Sequence, residues 1–131
     1  MTPFAQSMWD ADTASQNLGM ALLAADPGHA VLTMTIRADM VNGHGIAHGG
    51  FIFTLADSAF AFACNAAGAA SVAANCQITY LAPAAEGETL TATATEIVRK
   101  GRQGITDVTV TRADGTLIAA FRGHSRTIKP S

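Results

Sequence analysis

The chain of 131 residues has few cysteines, few charges and no concentration of positive charge. Its two cysteines, Cys64 and Cys76, lie among apolar residues without a CxxC or metal-ligand spacing, so we interpret them as buried free thiols. The eight lysines and arginines are scattered and the formal net charge is −2, which argues against a nucleic-acid-binding surface. The sequence therefore predicts no redox, zinc-binding or nucleic-acid-binding function.

The sequence also lacks a recognisable leader and a long uninterrupted apolar run. The N-terminal segment has neither the basic region nor the continuous apolar stretch of a signal peptide, and it carries Asp10 and Asp12. The longest apolar run, residues 51–67, contains Asp57 and Asn65, and a run this short is more typical of a buried helix than of a membrane span. We expect a cytoplasmic protein with no membrane association.

Charged residues make up only 14% of the chain, whereas apolar residues make up 49%. An average globular domain has more charged residues and somewhat fewer apolar residues. A chain of this length corresponds to about one domain with one core. We therefore expect a single domain, residues 1–131, that covers part of its apolar surface by forming an oligomer.

Hydrophobic periodicity predicts an α+β fold built around one long helix. Residues 3–18 have the spacing of a short amphipathic helix, and residues 30–38 alternate as expected for the first strand. Residues 51–67 are apolar on every side and end at Gly68, which predicts a helix enclosed by the rest of the protein. Short turns join three or four later strand-like segments, so we expect a curved antiparallel sheet wrapped around the central helix. These segments are residues 72–83, 88–100, 104–114 and 116–128.

Asp57 is the only charged residue in the apolar run 51–67, and no basic residue lies near it in sequence. A carboxylate in such a helix costs several kcal/mol unless it is paired, neutralised or facing a cavity. It could instead be tolerated through hydrogen bonds to nearby backbone or hydroxyl groups. Because perturbed carboxylates are common at working sites, we interpret Asp57 as a catalytic group that faces a pocket.

Gly49 and Gly50 stand at the predicted helix start, where unpaired N–H groups and the positive end of the helix dipole point outward. Such donors stabilise a developing oxyanion, although two glycines could also serve only to turn the chain. Gly49 and Asp57 are eight residues apart, which is roughly 12 Å along a helix axis. One helix therefore cannot bring both to one carbonyl, and a shared site requires Asp57 from one subunit and Gly49 from a two-fold-related partner.

Other candidates lie in the glycine-rich loop before the helix. His44 and His48 are four residues apart, but in a loop this spacing favours loop ordering or substrate contact over metal binding. Asn42 is a common turn residue whose amide could alternatively orient a substrate carbonyl or a water. Basic residues near a later turn and on a later strand are either solvated or hold the phosphates of an anionic substrate. They are Arg99, Lys100, Arg102, Arg122, His124 and Arg126.

The pattern N-G-H-x-x-x-H-G-G at residues 42–50, followed by Asp57 and then SAFAFACNAAG, resembles the hotdog-fold acyl-CoA thioesterases. Within them it is most similar to the phenylacetic-acid-degradation, or PaaI, type. The resemblance continues through CQITYLAPAAEGETLTATATEIVRKGRQ and IAAFRGHSRTI, so it extends from about residue 18 to the C-terminus.

The resemblance implies a hotdog fold, with dimers that assemble into tetramers. It implies that Asp57 acts as nucleophile or as general base for water, that the Gly49 N–H is the oxyanion donor and that Asn42 orients the thioester or water. Asn42 and Gly49 would come from one subunit and Asp57 from its partner. No cofactor is expected, because coenzyme A is part of the substrate.

The implied activity is hydrolysis of small aryl-acetyl-CoA thioesters, such as phenylacetyl-CoA and its ring-hydroxylated forms. Gly50 and Phe51 would contact the substrate, and Phe51, Phe53 and Phe60 are candidates to accommodate a ring. The alternatives are a hotdog hydratase or dehydratase, which would use His48 with a carboxylate, and a non-catalytic acyl-CoA-binding module.

One departure from the family concerns a hydroxyl. Some relatives carry a catalytic hydroxyl at the position of Ala73, which has none. Ser71 or Thr79 could replace it only if their side chains lie on the required face of the strand.

Overall fold

In the computed structural model, which describes residues 1–128, one six-stranded antiparallel sheet wraps around a long helix. The strand order is β1-β2-β4-β5-β6-β3, so β1 and β3 are the edges. The predicted α+β architecture is confirmed. In chain order the elements are α1 Pro3–Ala11, α2 Thr13–Asn17, β1 Ala21–Asp26, β2 His29–Thr35, a 3-10 turn Ala38–Met40, α3 Gly49–Asn65, β3 Ser71–Tyr80, β4 Thr89–Lys100, β5 Gln103–Arg112 and β6 Leu117–Thr127.

The core lies between α3 and the concave face of the sheet. In β4 the inward-facing residues Leu90, Ala92 and Ala94 are fully buried, as the alternation with threonine predicts. Phe60 of α3 lies directly over Gly123 of β6, where an added Cβ would be 2.7 Å from the ring. This close approach holds α3 in one rotational position against the sheet, which in turn fixes the direction of Asp57.

Two predicted elements differ from the observed ones. The segment 30–38 is not the first strand, because β1 precedes it; β1 has a bulge between Leu22 and Ala24, which hides its alternation. The predicted helix 3–18 is two helices, because Asp12 ends α1 and its carboxylate accepts the Ser15 N–H to begin α2. The long helix begins at Gly49 and ends at Asn65, two residues earlier at each end than predicted.

The two N-terminal helices pack on the outer side of α3. Trp9 contacts Phe62 with ring centroids 6.0 Å apart. Ser15 is buried and donates its hydroxyl proton to Asp12 (2.7 Å), so at the 2.9 Å contact with Ser58 it is the Ser58 hydroxyl that donates. This chain of hydrogen bonds fastens the N-terminal segment to α3 beside Asp57.

Strand β3 is a long and largely exposed edge. Val72, Tyr80 and the following Leu81 are 49%, 48% and 55% exposed, respectively. Unpaired backbone groups and apolar side chains along an edge are a template for another strand. No helix among residues 1–128 is both long and apolar enough to cross a membrane.

Candidate active site

The N-terminus of α3 presents a backbone donor that has no acceptor within residues 1–128. His48 is the N-cap, and its Nδ1 accepts the Gly50 N–H at 3.0 Å. The next turn begins with the Phe51 N–H, which donates to the His48 carbonyl oxygen. The Gly49 N–H has no acceptor within residues 1–128. A free N–H at the positive end of a helix can bind the oxygen of a polarised carbonyl.

The loop before the helix is ordered by Asn42. Its Oδ1 accepts the N–H groups of His44 (2.9 Å) and Ile46 (3.4 Å), which leaves the side-chain NH₂ without an acceptor in the described chain. Asn42 and Gly49 line one surface depression of about 490 Å³. The structure therefore brings these two predicted residues together. The other lining residues are Ile46, Ala47, Ile52, Tyr80, Leu81, Ala82 and Pro83.

Tyr80, the only tyrosine of the chain, is a part of this depression that the sequence reasoning missed. Its hydroxyl donates to the Gly49 carbonyl oxygen at 2.8 Å. A Cβ at position 49 would lie 2.9 Å from its Cζ, so a larger residue there would require the ring or the helix start to shift. Burial raises the pKa of Tyr80, which keeps the hydroxyl protonated as a donor.

Asp57 lies on α3 and is half-buried. Its carboxylate has no hydrogen bond or ion pair with any of residues 1–128, so the alternative of local hydrogen bonding is not found. Burial raises its pKa. Burial, and then the Asp57 charge, raise the pKa of Cys76. Asp57 is thus a desolvated carboxylate with no partner among residues 1–128.

The two thiols differ in exposure. Cys64 is buried as predicted, and burial raises its pKa to about 11. Cys76 is only half-buried, contrary to the prediction, because it lies on the edge strand β3. The raised pKa disfavours the thiolate form of both residues.

Asp57 does not line the depression of Asn42 and Gly49 in its own subunit. Eight helical residues separate it from Gly49, about 12 Å along the axis. The described chain therefore carries the two halves of the predicted site at different places. Each half has an unsatisfied group: a backbone donor in one and a carboxylate in the other.

Comparisons with known proteins decide the family. The profile of the thioesterase superfamily matches residues 44–119. The chain belongs to the thioesterase superfamily. The acyl-coenzyme A thioesterase PaaI of Escherichia coli is 44% identical over 125 residues, which are 95% of this chain and 89% of that protein. The predicted family and thioester hydrolase activity are thereby confirmed.

Solved structures agree with this assignment. The E. coli PaaI protein from the phenylacetic acid degradation operon superposes with a TM-score of 0.95 at 41% identity, covering 98% of this chain and 93% of that one. A Streptococcus mutans protein bound to acetyl CoA has a TM-score of 0.80 at 26% identity, covering 83% of this chain and 88% of that one. The hotdog fold predicted for this thioesterase is confirmed.

The pairing of β3 with β6 shows which hydroxyl groups of the thioesterase lie on the same face of the sheet as Ala73. Ala73 pairs with the buried Ser125 of β6, so it lies on the concave face. Thr79 pairs with Ala120 and lies on the opposite, convex face. Ser71 shares the face of Ala73, but its hydroxyl contacts Thr127 (3.2 Å) and a backbone oxygen. The buried Ser125 hydroxyl, across from Ala73, has no hydrogen-bond partner in the described part of the thioesterase.

The residues predicted to contact the substrate differ in burial and in ion pairing. Phe60 is buried in the core, whereas Phe51 and Phe53 are only half-buried. Phe51 makes an edge contact with His48, and Phe53 makes one with Phe121.

Among the basic residues, Arg99 binds Glu96 at 2.9 Å and Arg122 binds Asp107 at 2.6 Å, so both have a carboxylate partner. Lys100 and His124 line a concavity on the convex face, and Arg102 lies at the adjoining turn.

The pair His44 and His48 is not joined by a third potential metal ligand within residues 1–128. No group of three or more His, Cys, Asp or Glu residues with metal-binding geometry occurs between residues 1 and 128. His48 instead caps α3, which agrees with the loop-ordering role considered for it.

Proposed function

We propose that this thioesterase hydrolyses acyl-CoA thioesters with small aryl-acetyl groups, phenylacetyl-CoA and its ring-hydroxylated forms, in phenylacetate catabolism. The observation that carries the mechanism is the Asp57 carboxylate, which lies in an apolar helix and has no partner among residues 1–128. The substrate class is supported by the name and operon of the E. coli relative and by the acetyl CoA bound to the S. mutans relative.

The two half-sites supply complementary chemistry. The Gly49 N–H binds the thioester carbonyl oxygen, and the Asn42 amide orients the same carbonyl or a water. Asp57 either attacks the carbonyl carbon or removes a proton from the attacking water. The carbonyl electron pair moves to oxygen, and its return breaks the carbon–sulfur bond and releases CoA as thiolate, which takes up a proton. If Asp57 is the nucleophile, water then hydrolyses the acyl–aspartyl anhydride and releases the acid; if Asp57 is the base, the attacking water supplies the oxygen of the acid directly. Desolvation makes Asp57 a stronger base and nucleophile than a carboxylate in water.

The proposed active form is a homodimer with two shared sites. Strand β3 is an exposed edge with apolar side chains, and the outward backbone groups of an edge are available to a second copy. A two-fold axis at this edge would pack two α3 helices antiparallel, with Asp57 of each opposite Gly49 of the other. Association into a dimer of dimers and a cytoplasmic location stay predictions.

The acyl ring would lie beside α3. Phe51 and Phe53 are half-buried and sit on the helix between the two half-sites, whereas the buried Phe60 is not accessible. Their exposed edges offer an apolar wall for a phenyl group without disturbing the core.

The test is release of free thiol from phenylacetyl-CoA by the wild-type protein and by Asp57→Asn. Wild type should turn over and Asp57→Asn should lose at least about 100-fold in kcat while remaining folded and oligomeric. Full activity of folded Asp57→Asn would contradict the assignment. Binding without thiol release would indicate a binding module, and hydration of enoyl-CoA in its place would indicate a hydratase.

A further inference from the structure

Helix α3 begins with two glycines, Gly49 and Gly50, and the free N–H belongs to the first of them. Glycine has more backbone freedom than any other residue, and the first N–H groups of a helix have no acceptor within the helix. A donor stabilises a developing oxyanion well only when its direction is fixed before the reaction. The groups that hold these two glycines in place therefore bear directly on the reaction.

The two peptide units that meet at Gly49 are held at three of their four polar groups. In the unit between His48 and Gly49, the carbonyl oxygen accepts the Phe51 N–H at 3.0 Å. In the unit between Gly49 and Gly50, the N–H donates to His48 Nδ1 at 3.0 Å. The carbonyl oxygen of that second unit accepts the Tyr80 hydroxyl at 2.8 Å. Only the Gly49 N–H has no partner within residues 1–128, and the other three bonds fix its direction.

Of these three bonds, the one from Tyr80 comes from outside the helix start. Tyr80 is the last residue of β3 and pairs with Ala119 of β6, so its position is set by the sheet. A Cβ on Gly49 would lie 2.9 Å from its Cζ and 3.3 Å from its Cε1. His48 and Phe51 are each within two residues of Gly49, so their bonds cannot fix the helix start relative to the sheet. Tyr80 makes that connection.

The chain that follows Tyr80 holds the loop before the helix. The Ala47 N–H donates to the Ala84 carbonyl oxygen at 2.8 Å, and Ile46 forms a β-bridge with Ala85. The depression that contains the free N–H is lined both by this loop and by Tyr80. The end of β3 and the residues after it therefore support the whole half-site that carries the oxyanion donor.

A purely structural role of Tyr80 does not require its hydroxyl. The ring is 48% exposed, and phenylalanine would fill the same space against Gly49. Within the described chain the hydroxyl makes a single hydrogen bond, the one to the Gly49 carbonyl oxygen. The hydroxyl is therefore placed to orient one peptide unit.

We infer that Tyr80 is a positioning residue for thioester hydrolysis: its hydroxyl holds the Gly49–Gly50 peptide unit so that the Gly49 N–H points at the thioester carbonyl oxygen. Tyr80 acts through Gly49 and does not touch the reacting atoms. This inference rests on the proposed function and adds a residue of the edge strand β3 to the site.

The kinetic test removes the hydroxyl and keeps the ring. Tyr80→Phe should lower kcat for phenylacetyl-CoA a few-fold at unchanged KM, because a misdirected donor matters most when charge develops on the oxygen. Thr79→Val is the matched control: it removes an exposed hydroxyl from the neighbouring residue on the convex face and should leave both constants at wild-type values. Equal kcat values for wild type and Tyr80→Phe would overturn the inference, and so would a raised KM at wild-type kcat.

A double-mutant cycle separates positioning from general stabilisation. Gly49→Ala already displaces the Tyr80 ring or the helix start, so the bond from the hydroxyl is disturbed in that variant. Adding Tyr80→Phe to Gly49→Ala should therefore lower kcat no further. A second loss as large as that in the wild-type background would mean that Tyr80 acts independently of Gly49, which contradicts the inference.

The carbonyl stretch of bound substrate distinguishes this inference from the proposed activity. In Asp57→Asn, which should bind phenylacetyl-CoA without rapid hydrolysis, infrared difference spectra with an isotope label on the carbonyl carbon report how strongly the thioester is polarised. The frequency should lie below that in solution. Adding Tyr80→Phe should return it toward the solution value, whereas adding Thr79→Val should not.

The two ways in which this measurement can fail have different meanings. A lowered frequency that Tyr80→Phe leaves unchanged would overturn the role of Tyr80 and leave the proposed function intact. A frequency in Asp57→Asn equal to that in solution would contradict Gly49 as the oxyanion donor, and both the proposed mechanism and the inference would then be wrong.

Discussion

The two ends of α3 differ in how their backbone groups are satisfied. At the C-terminal end, the Asn65 side chain binds the N–H (2.7 Å) and carbonyl (3.1 Å) of Ser71, and Arg99 donates to the Cys64 carbonyl oxygen. At the N-terminal end, His48 satisfies Gly50 and leaves the Gly49 N–H free. The C-terminal end, here called the closed end, is held to β3 and β4 by these hydrogen bonds. The N-terminal end, here called the open end, can receive a ligand atom.

The largest effect is expected from Gly49→Ala, which places a methyl group at the open end of α3. Alanine keeps the N–H, but its Cβ would lie 2.9 Å from the Tyr80 Cζ, so the ring or the helix start must shift, and a shift of the helix start redirects the free N–H. We expect a decrease in kcat of about 10²–10³-fold, the usual effect of losing an oxyanion donor. Gly43→Ala is the matched control, because a Cβ there meets nothing within 4 Å. Equal kcat values for Gly49→Ala and Gly43→Ala would show that the N–H is not used.

Removing a hydrogen bond at the closed end should lower stability and leave kcat almost unchanged, which is the opposite of the effect expected at the open end. Asn65→Ala leaves the buried Ser71 N–H without its side-chain partner, so unfolding free energy should fall by about 1–3 kcal/mol while kcat stays near wild type. Denaturant titration measures this loss. Asn17→Ala, at an exposed position, should change stability by less than about 0.5 kcal/mol. A large loss of kcat in folded Asn65→Ala would mean that the closed end also takes part in the reaction.

Asp57 lies midway between the two ends of α3, and its ionisation should appear in the pH dependence of stability and of kcat/KM. Burial raises its folded pKa, so the native state binds more protons than the unfolded state, and this carboxyl lowers stability as pH rises through its unfolded pKa. Asp57→Asn should therefore have a higher Tm than wild type at pH 7, and the difference should disappear near about pH 3. In wild type, kcat/KM should rise with pH as the carboxyl ionises. A lower Tm for Asp57→Asn at pH 7 would contradict the unpaired, desolvated carboxylate.

The smallest effect is expected from Tyr80→Phe, which keeps the ring against Gly49 and removes only the hydroxyl bond to its carbonyl. We expect a loss of about 1 kcal/mol in stability and a few-fold decrease in kcat. Thermal unfolding and steady-state rates measure both. No change in either quantity would assign the Tyr80 contribution to its ring alone.

Features that depend on short stretches of chain could be predicted from the sequence. A single carboxylate in an apolar run identifies Asp57, and a glycine pair before the run identifies the open helix end. The length of that helix also separates Gly49 from Asp57 before any fold is known.

Features that depend on pairing between distant strands could not be predicted. Tyr80 reaches Gly49 across 31 residues, and the pairing of Arg122 with Asp107 across 15 residues determines which cations remain available. The split at Asp12 and the bulged strand β1 were missed because a local cap and an irregular register override the periodicity. The position of Ser125 opposite Ala73 likewise requires the register of β3 and β6.

The most direct test of the shared site is to combine two inactive subunits. Asp57→Asn and Gly49→Ala chains are co-expressed in equal amounts and their hydrolysis of phenylacetyl-CoA is measured. If each site takes Asp57 from one subunit and Gly49 from its partner, random pairing restores about a quarter of the wild-type sites, and about a quarter of the activity should return. Activity no higher than that of the two parent variants, in a protein shown to contain hybrid dimers, would contradict the shared site.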